Sequence, residues 1–178
     1  MKFDPETRHS ESIRLKDYDY SSNGAYFVTI CSDNRKTFFG EITNGEMKLN
    51  EYGEIAYRFW GDVSNHFPHV VIDYHVVMPN HIHAIITINN PDIKTENNKK
   101  PKLGQIVAYY KYQTTKIINQ LRGVSPDPVW QRDYYEHIVR NEDDLNDIRE
   151  YIINNPLKWE LDKENPEFQK KQMIINKP

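Results

Sequence analysis

VVIDYHVVMPNHIHAIITI, residues 70–88, is the stretch whose reading decides the fold. Its two halves, 70–78 and 81–88, are rich in β-branched and aromatic residues, the composition of strands. Pro79-Asn80 between them breaks or kinks the run, so the stretch reads as two neighbouring strands and not one long one. Upstream, Asn50 is placed as an N-cap, and residues 51–60 carry helical spacing with Tyr52, Ile55 and Phe59 on one face. Pro68 closes that region. Further upstream, residues 26–31 (YFVTIC) form the first strong strand. A short extended piece at 37–42 then meets 47–49 across Asn44-Gly45, a hairpin signal.

Downstream, residues 89–102 (NNPDIKTENNKKPK) are a polar loop. Residues 103–121 read as a long helix with Ile106, Val107, Tyr110, Thr114, Ile117, Ile118 and Leu121 at helical spacing. Residues 129–139 are extended. Asn141 caps a last helix that has acidic residues in its first turn, as the helix dipole favours, and that stops at Asn155-Pro156. The order β, α, β, β, α, β, α argues for an α+β fold, an antiparallel-rich sheet with helices packed on it.

The chain has 178 residues, enough for one domain of ordinary size. Residues 1–22 are expected as a polar N-terminal arm, 23–160 as the domain, and 161–178 as a polar C-terminal tail. With 12% aromatic residues the chain has the means to build a core despite a mean hydropathy of −0.82. No apolar run approaches the roughly 20 residues of a membrane-spanning helix, and MKFDPETRHSES at the start carries no apolar leader. The single cysteine, Cys31, excludes an internal disulfide framework and a Cys-rich zinc module, so a reducing, cytoplasmic location is the expectation.

Net charge is −3, which argues against coating nucleic acid through bulk charge. The charge is uneven, however. Residues 94–122 hold seven cations (Lys94, Lys99, Lys100, Lys102, Lys111, Lys116 and Arg122) against Glu96 alone. Residues 142–150 reverse the balance, with five acids against Arg149. Such segments are commonly no more than solvated faces, but the basic one could hold a polyanion locally.

His81 and His83 flank Ile82 on a predicted strand. Residues i and i+2 of a strand share a face, so the two imidazoles converge on one side. Neutral imidazole ligates borderline divalent metals, yet two ligands do not make a tight site, and a His-x-His pair on a strand is a common accident. Tyr151 and Asn155 are four apart on the last helix and share a face. If that face meets the histidine strand, a phenol and an amide oxygen arrive at the same spot. A phenol is a usable nucleophile. Beside Ile148 and Ile152, Tyr151 reads equally as a core aromatic. His66, His69 and His75 stay outside this group, because the break at Pro79 resets the strand alternation. No Gly-rich phosphate loop, Gly-x-Ser-x-Gly or Cys-x-x-Cys motif is present.

Three segments together resemble a known family. MPNHIHAII at 78–86 is similar to the HUH motif, two histidines around a hydrophobic residue. VWQRDYYEHIVRN at 129–141 and REYIINNPLKW at 149–159 resemble the runs that follow it in the single-tyrosine HUH transposases, specifically the REP-associated tyrosine transposase branch. The resemblance spans roughly residues 14–159, in order. It implies a ferredoxin-like (RRM-like) antiparallel sheet with helices on one face and the catalytic tyrosine on a C-terminal helix. It implies that His81 and His83 are metal ligands, that Tyr151 is the nucleophile, and that Asn155 stands where related enzymes carry a third polar ligand, often Gln. It further implies a divalent cofactor, Mg²⁺ or Mn²⁺, and single-stranded, hairpin-containing DNA as the partner, cut and rejoined through a 5′-phosphotyrosine. Relatives act as monomers or homodimers. Lys102, Lys111 and Lys116 are the candidates for contacts to the DNA backbone.

Two other readings compete. A non-catalytic module would hold single strands on the aromatics of the same sheet. A metal-dependent hydrolase using His81 and His83 would need a nearby Asp or His, which the sequence does not visibly supply.

Overall fold

A computed structural model describes Leu15 and residues 17–90, 100–124, 127–162 and 164–175. Among the described residues the strands and α-helices follow in the order β1 (Gly24–Cys31), β2 (Gly40–Thr43), β3 (Glu46–Leu49), α1 (Glu51–His66), β4 (Val70–Val77), β5 (His81–Ile88), α2 (Leu103–Arg122), β6 (Tyr135–Ile138), α3 (Glu142–Asn154) and α4 (Pro166–Ile175). A four-stranded sheet has the order β4-β5-β1-β6, with every neighbouring pair antiparallel. β2 and β3 form a separate hairpin. Most of the 129–139 segment expected to be extended is irregular: it makes one bridge, Trp130 to Ser32, before pairing begins at Tyr135.

Strand alternation divides the central sheet into two chemically different faces. Tyr26, Val28 and Ile30 of β1 and Ile82, Ala84, Ile86 and Ile88 of β5 meet α1 and α2 in the larger core. Trp60 of α1 stacks on Tyr110 of α2 at 3.9 Å, and the Tyr110 hydroxyl donates to the Ala56 carbonyl at 2.7 Å, which fastens the two helices together. On the opposite face, Phe27 and Ile85 pack against Ile148 and Ile152 of α3. Both central strands are therefore covered on both sides, which explains their near-continuous apolar sequence.

The capping signals are met by atoms. The Asn50 side chain accepts from the amides of Tyr52 and Gly53, and the Asn141 side chain accepts from the amide of Asp144. Gly123 ends α2 in the left-handed conformation at φ 63°. Asn44 and Gly45 both have positive φ, 54° and 77°, the primed turn that a two-residue hairpin requires. Gly53 is required for a different reason: a Cβ there would lie 2.2 Å from the Phe39 carbonyl oxygen.

The register of β4 against β5 shifts between Ile72 and His75. His75 then turns to α1, where its ring lies 4.6 Å from that of Tyr57 and its Nε2 is buried without a hydrogen-bond partner among the described residues. Burial holds the ring's pKa below the ordinary histidine value of 6.5, and a hydrogen bond to the Tyr57 backbone offsets this only in part. In the unfolded chain the ring takes up a proton as pH falls through about 6.5, while the folded chain resists it. Stability should therefore fall as pH drops from about 7 toward 5, and His75→Phe should flatten that slope. Urea midpoints at the two pH values measure it; an unchanged slope in the variant would clear His75 of the effect.

Candidate active site

The sheet face that carries α3 also carries His81 and His83, both fully buried. β5 pairs with β1 so that His81 lies opposite Cys31 and His83 opposite Thr29. The two Nε2 atoms approach to 3.0 Å. Each Nδ1 has its own anchor, Asn80 Oδ1 at 2.8 Å from His81 and Thr29 Oγ1 at 2.9 Å from His83. With their Nδ1 edges held, the rings turn both Nε2 edges toward one place, the arrangement that outer partners impose on metal-binding histidines.

α3 brings Tyr151 to the same place. Ile148 and Ile152 anchor the helix on Phe27 and Ile85, and Tyr151, adjoining Ile152, falls at the edge of this apolar patch. Its ring centroid is 5.1 Å from that of His83 and 6.0 Å from that of Phe27, and its hydroxyl lies 3.4 Å from His83 Nε2. Phe27 also stacks on His83, at 5.2 Å, so the three rings form one mutual cluster. One turn on from Tyr151, Asn155 is 2% exposed, and its Oδ1 is buried with no hydrogen-bond partner among the described residues. An unpaired buried amide oxygen costs on the order of 1–3 kcal/mol, so it marks a place where a cation or other donor would be welcomed.

A further residue, absent from the sequence-based set, completes the cluster. The chain leaves α3 through the 3-10 turn Pro156–Leu161 and doubles back, which brings Asp162 to the histidines. Ligand atoms of His81, His83 and Asp162 all lie within 4.8 Å of one another. Trp159 of the same turn lies 6.0 Å from the His81 ring. Glu164, 2% exposed, pairs with Arg35, and its backbone carbonyl accepts from the Asn80 side chain. Part of the segment expected as a polar tail, 161–178, thus forms one wall of the site. No local spacing announces Asp162. Only the proline directly after Asn155, which turns the chain back, hints at it.

The three lysines sit elsewhere. α2 packs on the sheet face opposite the histidines, and Lys102, Lys111 and Lys116 travel with it. Lys102 and Lys116 are exposed. Lys111 donates to the carbonyls of Gln131 and Arg132 at 2.5 and 2.8 Å, and burial pulls its pKa below the usual lysine value. His137 of β6 is bound to Asp144 at 2.9 Å and ties the start of α3 to the sheet.

The residues present fit a divalent ion. Two imidazole nitrogens and a carboxylate form a mixed nitrogen–oxygen donor set, suited to Mn²⁺ and acceptable to Mg²⁺, which prefers oxygen. Among the described residues, no helix is long and apolar enough to cross a membrane.

The chain is 39% identical over 174 residues to an uncharacterised protein of Haemophilus influenzae, covering 90% of this chain and 96% of that protein. Over 145 residues it is 25% identical to a protein of the same organism provisionally named a REP-associated tyrosine transposase, with 79% of this chain and 74% of that one covered. Its fold is similar to that of a solved REP-associated tyrosine transposase bound to a REP hairpin, with a TM-score of 0.54 and 22% identity, over 82% of this chain and 73% of that one. No protein-family model matches the chain.

Proposed function

We propose that the chain is a REP-associated tyrosine transposase and that it cuts and rejoins single-stranded DNA near hairpins by transesterification at Tyr151. The observation that carries the proposal is the Tyr151 hydroxyl 3.4 Å from His83 Nε2, beside a second imidazole and a carboxylate. A nucleophile and a cluster of metal-competent ligands at one point is what phosphodiester transfer requires.

In the proposed reaction the Tyr151 oxygen attacks the scissile phosphorus. The phenolic proton departs, the Tyr151 Oη–phosphorus bond forms and the bond to the 3′ oxygen breaks. That oxygen takes up a proton and leaves as a 3′-hydroxyl, with the 5′-phosphate retained on Tyr151. A phenol is a better leaving group than a sugar hydroxyl, so another 3′-hydroxyl can reverse the step and reseal the strand. Bond energy is conserved, in keeping with the absence of a nucleotide-binding motif from the sequence. His81, His83 and Asp162, with Asn155 proposed as a further ligand, would hold a divalent ion whose chemistry is to polarise a non-bridging phosphate oxygen and offset its growing charge. Phe27 and Ile85 seat α3 so that the phenol reaches the phosphate without searching.

Lys102 and Lys116 are assigned to phosphates of a hairpin stem, because they lie on the face away from the histidines. Lys111 contributes by bracing the 131–132 backbone.

The test is incubation with a hairpin-bearing single strand and Mn²⁺, followed by a denaturing gel. A covalent DNA–protein adduct is expected, and its absence with every divalent ion tried would refute the proposal. A non-catalytic binder would hold the same strand and leave no adduct. Asp162 makes a separate prediction. Asp162→Asn should lower Mn²⁺ affinity by about tenfold or more, read by calorimetry without DNA. Unchanged affinity would leave Asn155 as the third ligand.

A further inference from the structure

We infer that Asn80 is a positioning residue that presets the His81 tautomer, so that Nε2 offers its lone pair before any metal arrives. The inference rests on the metal-site reading above but is tested apart from it. Asn80 is fully buried in the connection between β4 and β5. That connection is fixed by its own backbone: the Ser32 amide donates to the Asn80 carbonyl at 2.8 Å, and the amides of Phe38 and Phe39 donate to the Pro79 carbonyl at 2.7 and 3.0 Å.

The two ends of a carboxamide are told apart only by their partners. Here the partners are decisive. One end of the Asn80 side chain faces two backbone carbonyls, those of Arg35 at 3.2 Å and Glu164 at 2.6 Å. A carbonyl cannot donate, so that end is the NH₂ group. The other end is therefore the oxygen, and it lies 2.8 Å from His81 Nδ1. An amide oxygen only accepts, so His81 Nδ1 carries the hydrogen. In the neutral ring Nε2 is then bare, and it is the atom that faces His83 and the Asp162 cluster.

His83 is built differently. Its Nδ1 meets the hydroxyl of Thr29, which can donate or accept. His83 can therefore adopt either tautomer. Without metal, an Nε2–H on His83 can donate to the bare Nε2 of His81, as their 3.0 Å separation allows. With metal, His83 moves its hydrogen to Nδ1 and the Thr29 hydroxyl rotates to accept it. One histidine is preset and the other adapts. The device also links the site to the C-terminal segment, since one of the two carbonyls orienting Asn80 belongs to Glu164.

The experiment is long-range ¹H–¹⁵N correlation on the full, metal-free chain with ¹⁵N-labelled histidine, at about pH 8, where an ordinary imidazole is neutral. His81 is expected as the Nδ1–H tautomer, with a pyridine-type shift at Nε2. In Asn80→Ala that preference should be lost, and Mn²⁺ affinity, measured without DNA, should fall about tenfold or more. Finding Nε2–H on His81 in the native chain would overturn the inference, and this outcome does not depend on the variant folding. So would an alanine variant that keeps both the tautomer and the affinity. If the native chain shows the Nδ1–H tautomer but binds no Mn²⁺, the metal-site reading fails while the preset stands.

Discussion

Tyr151→Phe should abolish the covalent adduct while leaving hairpin binding within about twofold. The substitution removes one oxygen and keeps the ring. Its aromatic contacts with Phe27 and His83, at 6.0 and 5.1 Å, survive, so α3 stays seated on Ile148 and Ile152. What disappears is the only atom proposed to bond to phosphorus. Covalent chemistry without its nucleophile has no partial form, and the expected yield is background. An adduct at native yield would mean that another tyrosine attacks.

His81→Ala or His83→Ala should remove metal affinity and cleavage together, each by about 100-fold or more, while native DNA binding persists. Each ring is fully buried, so alanine leaves a cavity, and stability should fall by about 1–3 kcal/mol. The two variants should differ in one respect. His81→Ala strands the Asn80 oxygen, which accepts only, whereas His83→Ala leaves the Thr29 hydroxyl free to rotate to another partner. His81→Ala is therefore expected to be the less stable of the two. A thermal melt without metal gives the order, and calorimetry with Mn²⁺ alone gives the affinity. Cleavage at native rate in either variant would take that ring out of the site.

Where a rule of period operates, the fold was legible in the sequence. Strand alternation puts His81 and His83 on one side of β5, and helical spacing puts Ile148, Tyr151 and Ile152 of α3 in one apolar cluster on the sheet. Asn50, Asn141 and Asn44-Gly45 marked two helix starts and a turn because each satisfies a local hydrogen-bonding or dihedral demand. Asp162 and Glu164 were not legible. Asp162 reaches the histidines of β5, and Glu164 the β4–β5 connection, through the return of the chain after Pro156, a tertiary fact carried by no local pattern. The surroundings of Lys111, a candidate for contact with the DNA backbone, were hidden for a related reason. Periodicity placed it on α2, but only the packed structure shows the 131–132 backbone arriving to occupy its ammonium group.

The measurement that bears most directly on the central claim is the identity of the residue bonded to DNA. Protein trapped on a hairpin-bearing strand in Mn²⁺ would be digested with protease and nuclease, and the nucleotide-bearing peptide sequenced by mass spectrometry. The expected result is a single 5′-phosphotyrosine at Tyr151, formed only with a divalent ion. A modified residue elsewhere, or cleavage that leaves no covalent bond, would contradict the account.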